Sequence, residues 1–209
     1  MDKEYIVHTM GKAGSMSIYT ALFTTSRDVK HCHTLVPLGQ PDEDKQYIII
    51  SPIREAVSRN ISAYFENFYN GQKMTADKFL SEYKHAIPDL WIYREICGYW
   101  GVDVYASQFP TSRGWQIYET ANARILIIRM ENLKEEWVAA FTELDDDKPP
   151  RLPHINATRA RTIGGKAKEY KRFLQEEKIP IDYVKMCNEY RYMKHFYSDM
   201  IKPKAGIKS

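Results

Sequence analysis

The chain has 209 residues, enough for one domain with a substantial core, and its 44% hydrophobic and 27% charged residues match a globular protein. A formal net charge of +3 suits a small anionic ligand better than a long polyanion, because nucleic-acid readers carry a denser basic stripe. No charged-then-apolar leader and no stretch near the roughly 20 apolar residues of a membrane span occurs, and Cys32, Cys97 and Cys187 lack paired spacing. A cytoplasmic protein with reduced thiols is expected, without a disulfide framework, a zinc site or an integral membrane segment.

In chain order, a strand is predicted over 5–9, a helix over 15–25 and a second strand over 29–34. The run Tyr47-Ile48-Ile49-Ile50 predicts a strand over 46–51 covered on both faces and ended by Pro52. Helical spacing of Ala56, Val57, Ile61, Tyr64, Phe65 and Phe68 marks a helix over 55–70. A shorter helix capped by Thr75 follows over 75–83, and 91–100 reads as helical. Strands are expected at 115–119 and 124–129, then a helix over 131–141 capped by Glu131. The Asp145-Asp146-Asp147 turn before two prolines reads as solvated. Helices over 166–177 and 180–201 close the chain. Continuous apolar strands alternating with helices predict an α/β fold with a central parallel sheet flanked by helices.

Ligands of such sheets sit beyond the carboxyl ends of the strands, which directs attention to two loops. The first runs His8-Thr9-Met10-Gly11-Lys12-Ala13-Gly14-Ser15-Met16-Ser17. Its glycines allow a tight turn, the following helix offers free N–H groups and a partial positive charge, and Lys12, Ser15 and Ser17 add charge and hydroxyls. The nucleoside-triphosphatase order Gly-Lys-Ser/Thr is absent, since Lys12 stands three residues before Ser15. In the second loop, Arg54 follows a buried strand at once and Ser62 comes eight residues later inside a helix. Arg54 can fork onto a phosphate, and the Ser62 hydroxyl can meet the same anion. The other arginine of this segment, Arg59, reads as facing water.

These two patterns resemble the 5′-phosphosulfate loop and the Arg-x7-Ser 3′-phosphate motif of sulfotransferases that use 3′-phosphoadenosine 5′-phosphosulfate (PAPS). The stretch from Arg54 to Phe65 is similar to a bacterial sulfotransferase-like family associated with capsular polysaccharide synthesis. The turn Arg129-Met130-Glu131-Asn132-Leu133, the segments around 101–105 and 109–115, and residues 192–198 extend the resemblance over nearly the whole chain. Gly11 stands where many members have proline before the lysine, and Ala56 replaces a frequent proline.

The resemblance implies a P-loop-type three-layer fold in one domain, with a nucleotide-binding core over 1–145 and a C-terminal helical part and lid over 151–209. It implies PAPS as co-substrate, adenosine 3′,5′-bisphosphate as product, and a small-molecule or glycan acceptor. Lys12, Ala13, Gly14, Ser15, Met16 and Ser17 would hold the 5′ end, Arg54 and Ser62 the 3′-phosphate. The late basic stretch with Arg159, Arg161 and Lys166 would close over the nucleotide. Lys12 is the candidate for stabilising the leaving oxygen, and His33 is the leading candidate base, ahead of His31 and His8, with Glu66 and Glu55 behind. An ATP-dependent P-loop kinase and a non-catalytic nucleotide binder are the alternatives.

Overall fold

A computed structural model describes residues 3–35, 40–153 and 165–201. Five strands, β1 (Lys3–His8), β2 (Val29–Cys32), β3 (Gln46–Ile53), β4 (Trp115–Glu119) and β5 (Ala123–Arg129), form one sheet in the order β2-β1-β3-β5-β4. The first four in that order run parallel, and β4 pairs antiparallel with β5 at the edge.

Alternation along the strands sends side chains to two separate cores. Ile6, Ile49, Ile53, Ile125 and Ile127 pack on one face. Tyr5, Val7, Ile48, Ile50, Leu126 and Ile128 pack on the other. The second face is covered by α1 (Ser15–Phe23) and α5 (Leu133–Leu144), through Ile18, Leu22, Trp137 and Phe141. The first face carries α2 (Ala56–Phe68), α3 (Ala76–Glu82), α4 (Ile87–Trp91) with the π-helix that continues it over Ile92–Gly98, α6 (Gly165–Glu176), α7 (Ile181–Asn188) and α8 (Arg191–Phe196). The chain is therefore α/β, with a mostly parallel sheet between helices. Among the described residues, no helix is long and apolar enough to cross a membrane.

Several boundaries depart from the sequence reading. Strand β3 runs through Pro52 to Ile53. The Pro52 carbonyl faces β1, where it accepts the Thr9 hydroxyl at 3.4 Å, so its missing N–H falls on a side where β1–β3 pairing has ended at Val7 and Ile50. Strand β2 stops at Cys32, leaving His33 in the loop. The expected helix over 180–201 is two helices, because Tyr190 is extended (φ −60°, ψ 139°) and the Asp89 carboxylate accepts the Tyr192 N–H at 2.8 Å. Glu131 does not cap α5, which starts after Asn132. Its carboxylate instead accepts the Glu55 N–H and the Tyr197 hydroxyl, each at 3.1 Å. The acidic turn is not wholly solvated either: Asp145 is buried, bonded to the Tyr5 hydroxyl at 2.5 Å and Lys3 at 2.6 Å.

Candidate functional site

The carboxyl ends of β1 and β3 lie side by side, so the two loops read from the sequence begin as neighbours. Thr9 is buried between them. Its N–H donates to the Cys32 carbonyl at 3.1 Å, its hydroxyl donates to Pro52, and it accepts the Gly11 N–H at 3.2 Å. The backbone then turns through three left-handed residues, Gly11 (φ 79°), Lys12 (φ 63°) and Gly14 (φ 78°). Lys12 adopts this geometry at a cost of about 1–2 kcal/mol for an L-residue. Left-handed Gly14 followed by helical Ser15 directs successive N–H groups the same way, as anion-binding nests do.

Two arginines hold the loop in that shape. Arg59 is buried and donates to the Met10 carbonyl at 2.6 Å, the Gly11 carbonyl at 3.4 Å, the Tyr83 hydroxyl at 2.6 Å and Asn60 Oδ1 at 3.3 Å. Arg54 donates to the next carbonyl, that of Lys12, at 3.3 Å. Three consecutive carbonyls are thus drawn toward α2. The water-facing role read for Arg59 is overturned, because Arg59 lies with Ala56, Asn60 and Ala63 among the buried residues of α2. Burial lowers the Arg59 pKa, with Tyr83 opposing, and its four bonds run to neutral oxygens. A guanidinium of this kind remains charged.

Arg54 itself is fixed through its backbone. The buried Tyr192 hydroxyl donates to its carbonyl at 2.7 Å and accepts its N–H at 3.2 Å. Among the described residues, the buried side-chain Nε of Arg54 has no hydrogen-bond partner. Ser62 is half-buried, three residues after Arg59 and four before Glu66. Both of those side chains reach the loop, so Ser62 lies on the stripe of α2 that faces it. The Glu55 carboxylate accepts the Val57 and Ser58 N–H groups at 2.8 Å and caps α2, which accounts for it as a structural group.

Within the first loop, Ala13 is fully buried and offers its backbone alone. The Ser15 hydroxyl is nearly buried and pairs with His31 Nε2 at 3.0 Å instead of standing open. Met16 and Ser17 are half-buried. Lys12 Nζ points to Glu66 Oε2 at 3.3 Å, and Lys166 Nζ meets the same oxygen at 3.0 Å. The Lys166 hydrogen bond first, then Lys12, hold the Glu66 carboxyl below its usual range against partial burial.

The histidines differ in access. His33 is exposed, with Nδ1 2.8 Å from the Thr9 carbonyl. A carbonyl only accepts, so Nδ1 carries the proton and neutral His33 keeps a lone pair on Nε2. A Cβ on Gly11 would lie 3.5 Å from the His33 ring, so this ring sits directly over the loop. His8 is sealed inside, accepting from Trp100 Nε1 at 3.4 Å, with Nε2 3.3 Å from Glu95 Oε2 but out of line for a hydrogen bond. Burial, opposed by Glu95, pushes its pKa down to about 4.

On the other side of the α1 N-terminus opens a cleft of about 760 Å³ lined by Gly14, Ser17, Leu133, Trp137, Pro150 and Leu152. Its walls are mainly apolar, with Lys134 and Arg151 among them, and its volume is that of a small-molecule site. A second cleft of about 490 Å³ lies between the end of α2 and α6, with Tyr69, Gln72, Lys73, Lys168 and Arg172 on its walls. Searches against protein-family models, curated proteins and solved structures find no match for this chain. The geometry of the site therefore carries the functional argument. Arg159 and Arg161 lie outside the described residues, whereas Lys166 is the second residue of α6.

Proposed function

We propose that this chain is a sulfotransferase of P-loop type that takes PAPS as co-substrate and acts on an acceptor hydroxyl of a glycan or polysaccharide precursor. One observation carries the reading. The Arg54 guanidinium from the β3 loop reaches the Lys12 backbone carbonyl of the β1 loop at 3.3 Å, so the two basic loops share one backbone cradle, with a mainly apolar cleft at the neighbouring α1 N-terminus. A ligand with anionic groups at two points and a flat base matches that combination. The buried Nε of Arg54, with no partner among the described residues, fits a phosphate oxygen.

In this reading the N–H groups of Gly14, Ser15, Met16 and Ser17 bind the 5′ end at the α1 N-terminus. Arg54 and Ser62 bind the 3′-phosphate, and Leu133, Trp137 and Leu152 wall the adenine. Bound PAPS supplies the sulfuryl group. Lys12 places an ammonium where negative charge develops on the bridging oxygen. The Nε2 of His33 takes the acceptor's proton, its tautomer set by the Thr9 carbonyl. The cleft at Tyr69, Gln72 and Lys73 receives the acceptor, offering an aromatic ring and several hydrogen-bonding groups to a sugar.

Calorimetric titration with adenosine 3′,5′-bisphosphate and with ATP–Mg on wild type, Arg54→Ala and Lys12→Ala tests the reading. Bisphosphate binding tighter than ATP, weakened about tenfold or more by Arg54→Ala, is the expected result. Preference for ATP, or indifference to Arg54, overturns it in favour of a kinase or another anion-binding role. Labelled-sulfate transfer then compares His33→Ala with wild type, with a rate loss of about 10²–10⁴ expected for a missing base.

A further inference from the structure

His33 is exposed, yet its backbone hangs on one buried helix face. The indole of Trp91, at the end of α4, donates its Nε1–H to the His33 carbonyl at 2.7 Å. Four residues on, in the π-helix that continues α4, Glu95 accepts the Thr34 hydroxyl on Oε1 at 2.5 Å and the Leu35 N–H on Oε2 at 2.7 Å. Residues 33, 34 and 35 are thus each bonded to that helix, and the Leu35 side chain is buried in the core on the same face of the sheet. π-Helical turns are rare and concentrate at functional sites.

The two side chains that hold the loop are themselves fixed from below. Trp91 and Glu95 are both buried, and the His8 ring lies against each. It meets the Trp91 ring edge-on with centroids 4.8 Å apart, and its Nε2 stands 3.3 Å from Glu95 Oε2. Releasing the loop would leave buried polar groups short of partners away from water, which is costly. The ring of His33, in contrast, has one bond of its own, from Nδ1 to the Thr9 carbonyl at 2.8 Å. A single bond of that kind barely offsets the entropy of fixing an exposed side chain. With residues 33–35 tied down, the backbone already aims the ring at the loop, and only the side-chain torsions remain to be set.

We infer that Trp91 and Glu95 are positioning residues for His33: by fixing residues 33–35 they hold its ring over the cradle with the proton on Nδ1 and the lone pair on Nε2. The inference rests on the reading of His33 as the acceptor's base. Both residues act through the His33 segment, and neither gains or loses a proton in this role.

The test joins nitrogen NMR of the His33 ring, at a pH of about 8 where imidazole is neutral, with labelled-sulfate transfer from PAPS. The full chain is compared as wild type, Trp91→Phe, Glu95→Gln and Trp100→Phe, with His33→Gln to assign the ring signals and thermal melting to check folding. Trp100→Phe is the control for softening of the same core, because the Trp100 indole donates to His8 Nδ1 at 3.4 Å and not to the loop. Wild type is expected to show the Nδ1–H tautomer. Trp91→Phe and Glu95→Gln are expected to average the two tautomers and to lower kcat by about 3–10-fold, with KM for PAPS changed by about twofold or less. Trp100→Phe is expected to leave the ring signals and kcat as in wild type. Should Glu95→Gln fail to fold, Thr34→Val, which removes one hydroxyl from an exposed residue, takes its place. Ring signals unchanged by Trp91→Phe and Glu95→Gln overturn the inference, and so does an equal change in Trp100→Phe. Ring signals that respond as expected in a protein that transfers no sulfate uphold the positioning and remove the sulfotransferase reading. Sulfate transfer by a wild type whose ring already averages both tautomers overturns the positioning and leaves that reading standing.

Discussion

Arg59 shows how much a single side chain settles here. Its guanidinium is engaged by the Met10 and Gly11 carbonyls, and the shape of the cradle depends on those bonds. Arg59→Lys cannot span Met10, Gly11 and Tyr83 together, so a loss of about 2 kcal/mol and a melting point lower by about 4–8 °C are expected, with weaker bisphosphate binding. Arg54→Ala, which gives up a single hydrogen bond to the Lys12 carbonyl, is expected to cost about 1 kcal/mol or less while weakening binding more. Lys12 separates the same two properties differently. Its left-handed backbone (φ 63°) means that Lys12→Gly should be more stable than Lys12→Ala by about 1 kcal/mol while both bind poorly. Calorimetry paired with thermal melts checks both. Lys12 and Arg54 were legible because their neighbours spell them out, glycines and serines for one and the end of an apolar strand for the other. Arg59 left a weaker sign. It sits in register with Ala56 and Ala63 on the buried stripe, a position that a water-facing arginine does not take.

Among the elements, the break between α7 and α8 matters most. By ending one helix at Asn188 and starting another at Arg191, the chain brings the Tyr192 hydroxyl to both backbone polar groups of Arg54. Tyr192→Phe is expected to cost about 1–2 kcal/mol and to weaken bisphosphate binding several-fold while leaving every proposed ligand contact in place. A melt and a titration on one preparation decide this. The helical period of 180–201 gave no hint of the break, because its cause, the Asp89 carboxylate on the Tyr192 N–H, lies about a hundred residues away. The π-helix over Ile92–Gly98 plays a similar part. It aims Glu95 at the Thr34 hydroxyl (2.5 Å) and the Leu35 N–H (2.7 Å), and sets its carboxylate against His8. His8 is depressed to about 4 in the folded chain, against 6.5 for the free group. Between those pH values the unfolded chain binds a proton that the folded one refuses, so stability falls as pH drops from about 6.5 toward 4. Replacing His8 with Gln should remove up to about 1.4 kcal/mol per pH unit from that slope, measured by denaturant melts across the window.

For the molecule as a whole, the sheet and its two covering layers followed from the apolar runs at 47–50 and 125–128, whose alternate residues feed opposite cores. The apolar cleft at the α1 N-terminus did not follow. It needs the start of α1, the start of α5 and residues 149–153 to converge, and no local pattern announces such a meeting. Leu152→Glu places a carboxylate on its wall. In the proposed function this variant loses affinity for the bisphosphate and keeps that for pyrophosphate, a contrast that isolates the base from the phosphates. At the opposite, amino-terminal end of the strands, Lys3 and Tyr5 of β1 are tied to Asp145. Strand β1 leads from there to the cradle over six residues, about 20 Å. An immobilising tag ahead of Lys3 would therefore tether the protein to a sensor surface by the end of β1 that lies away from the cradle.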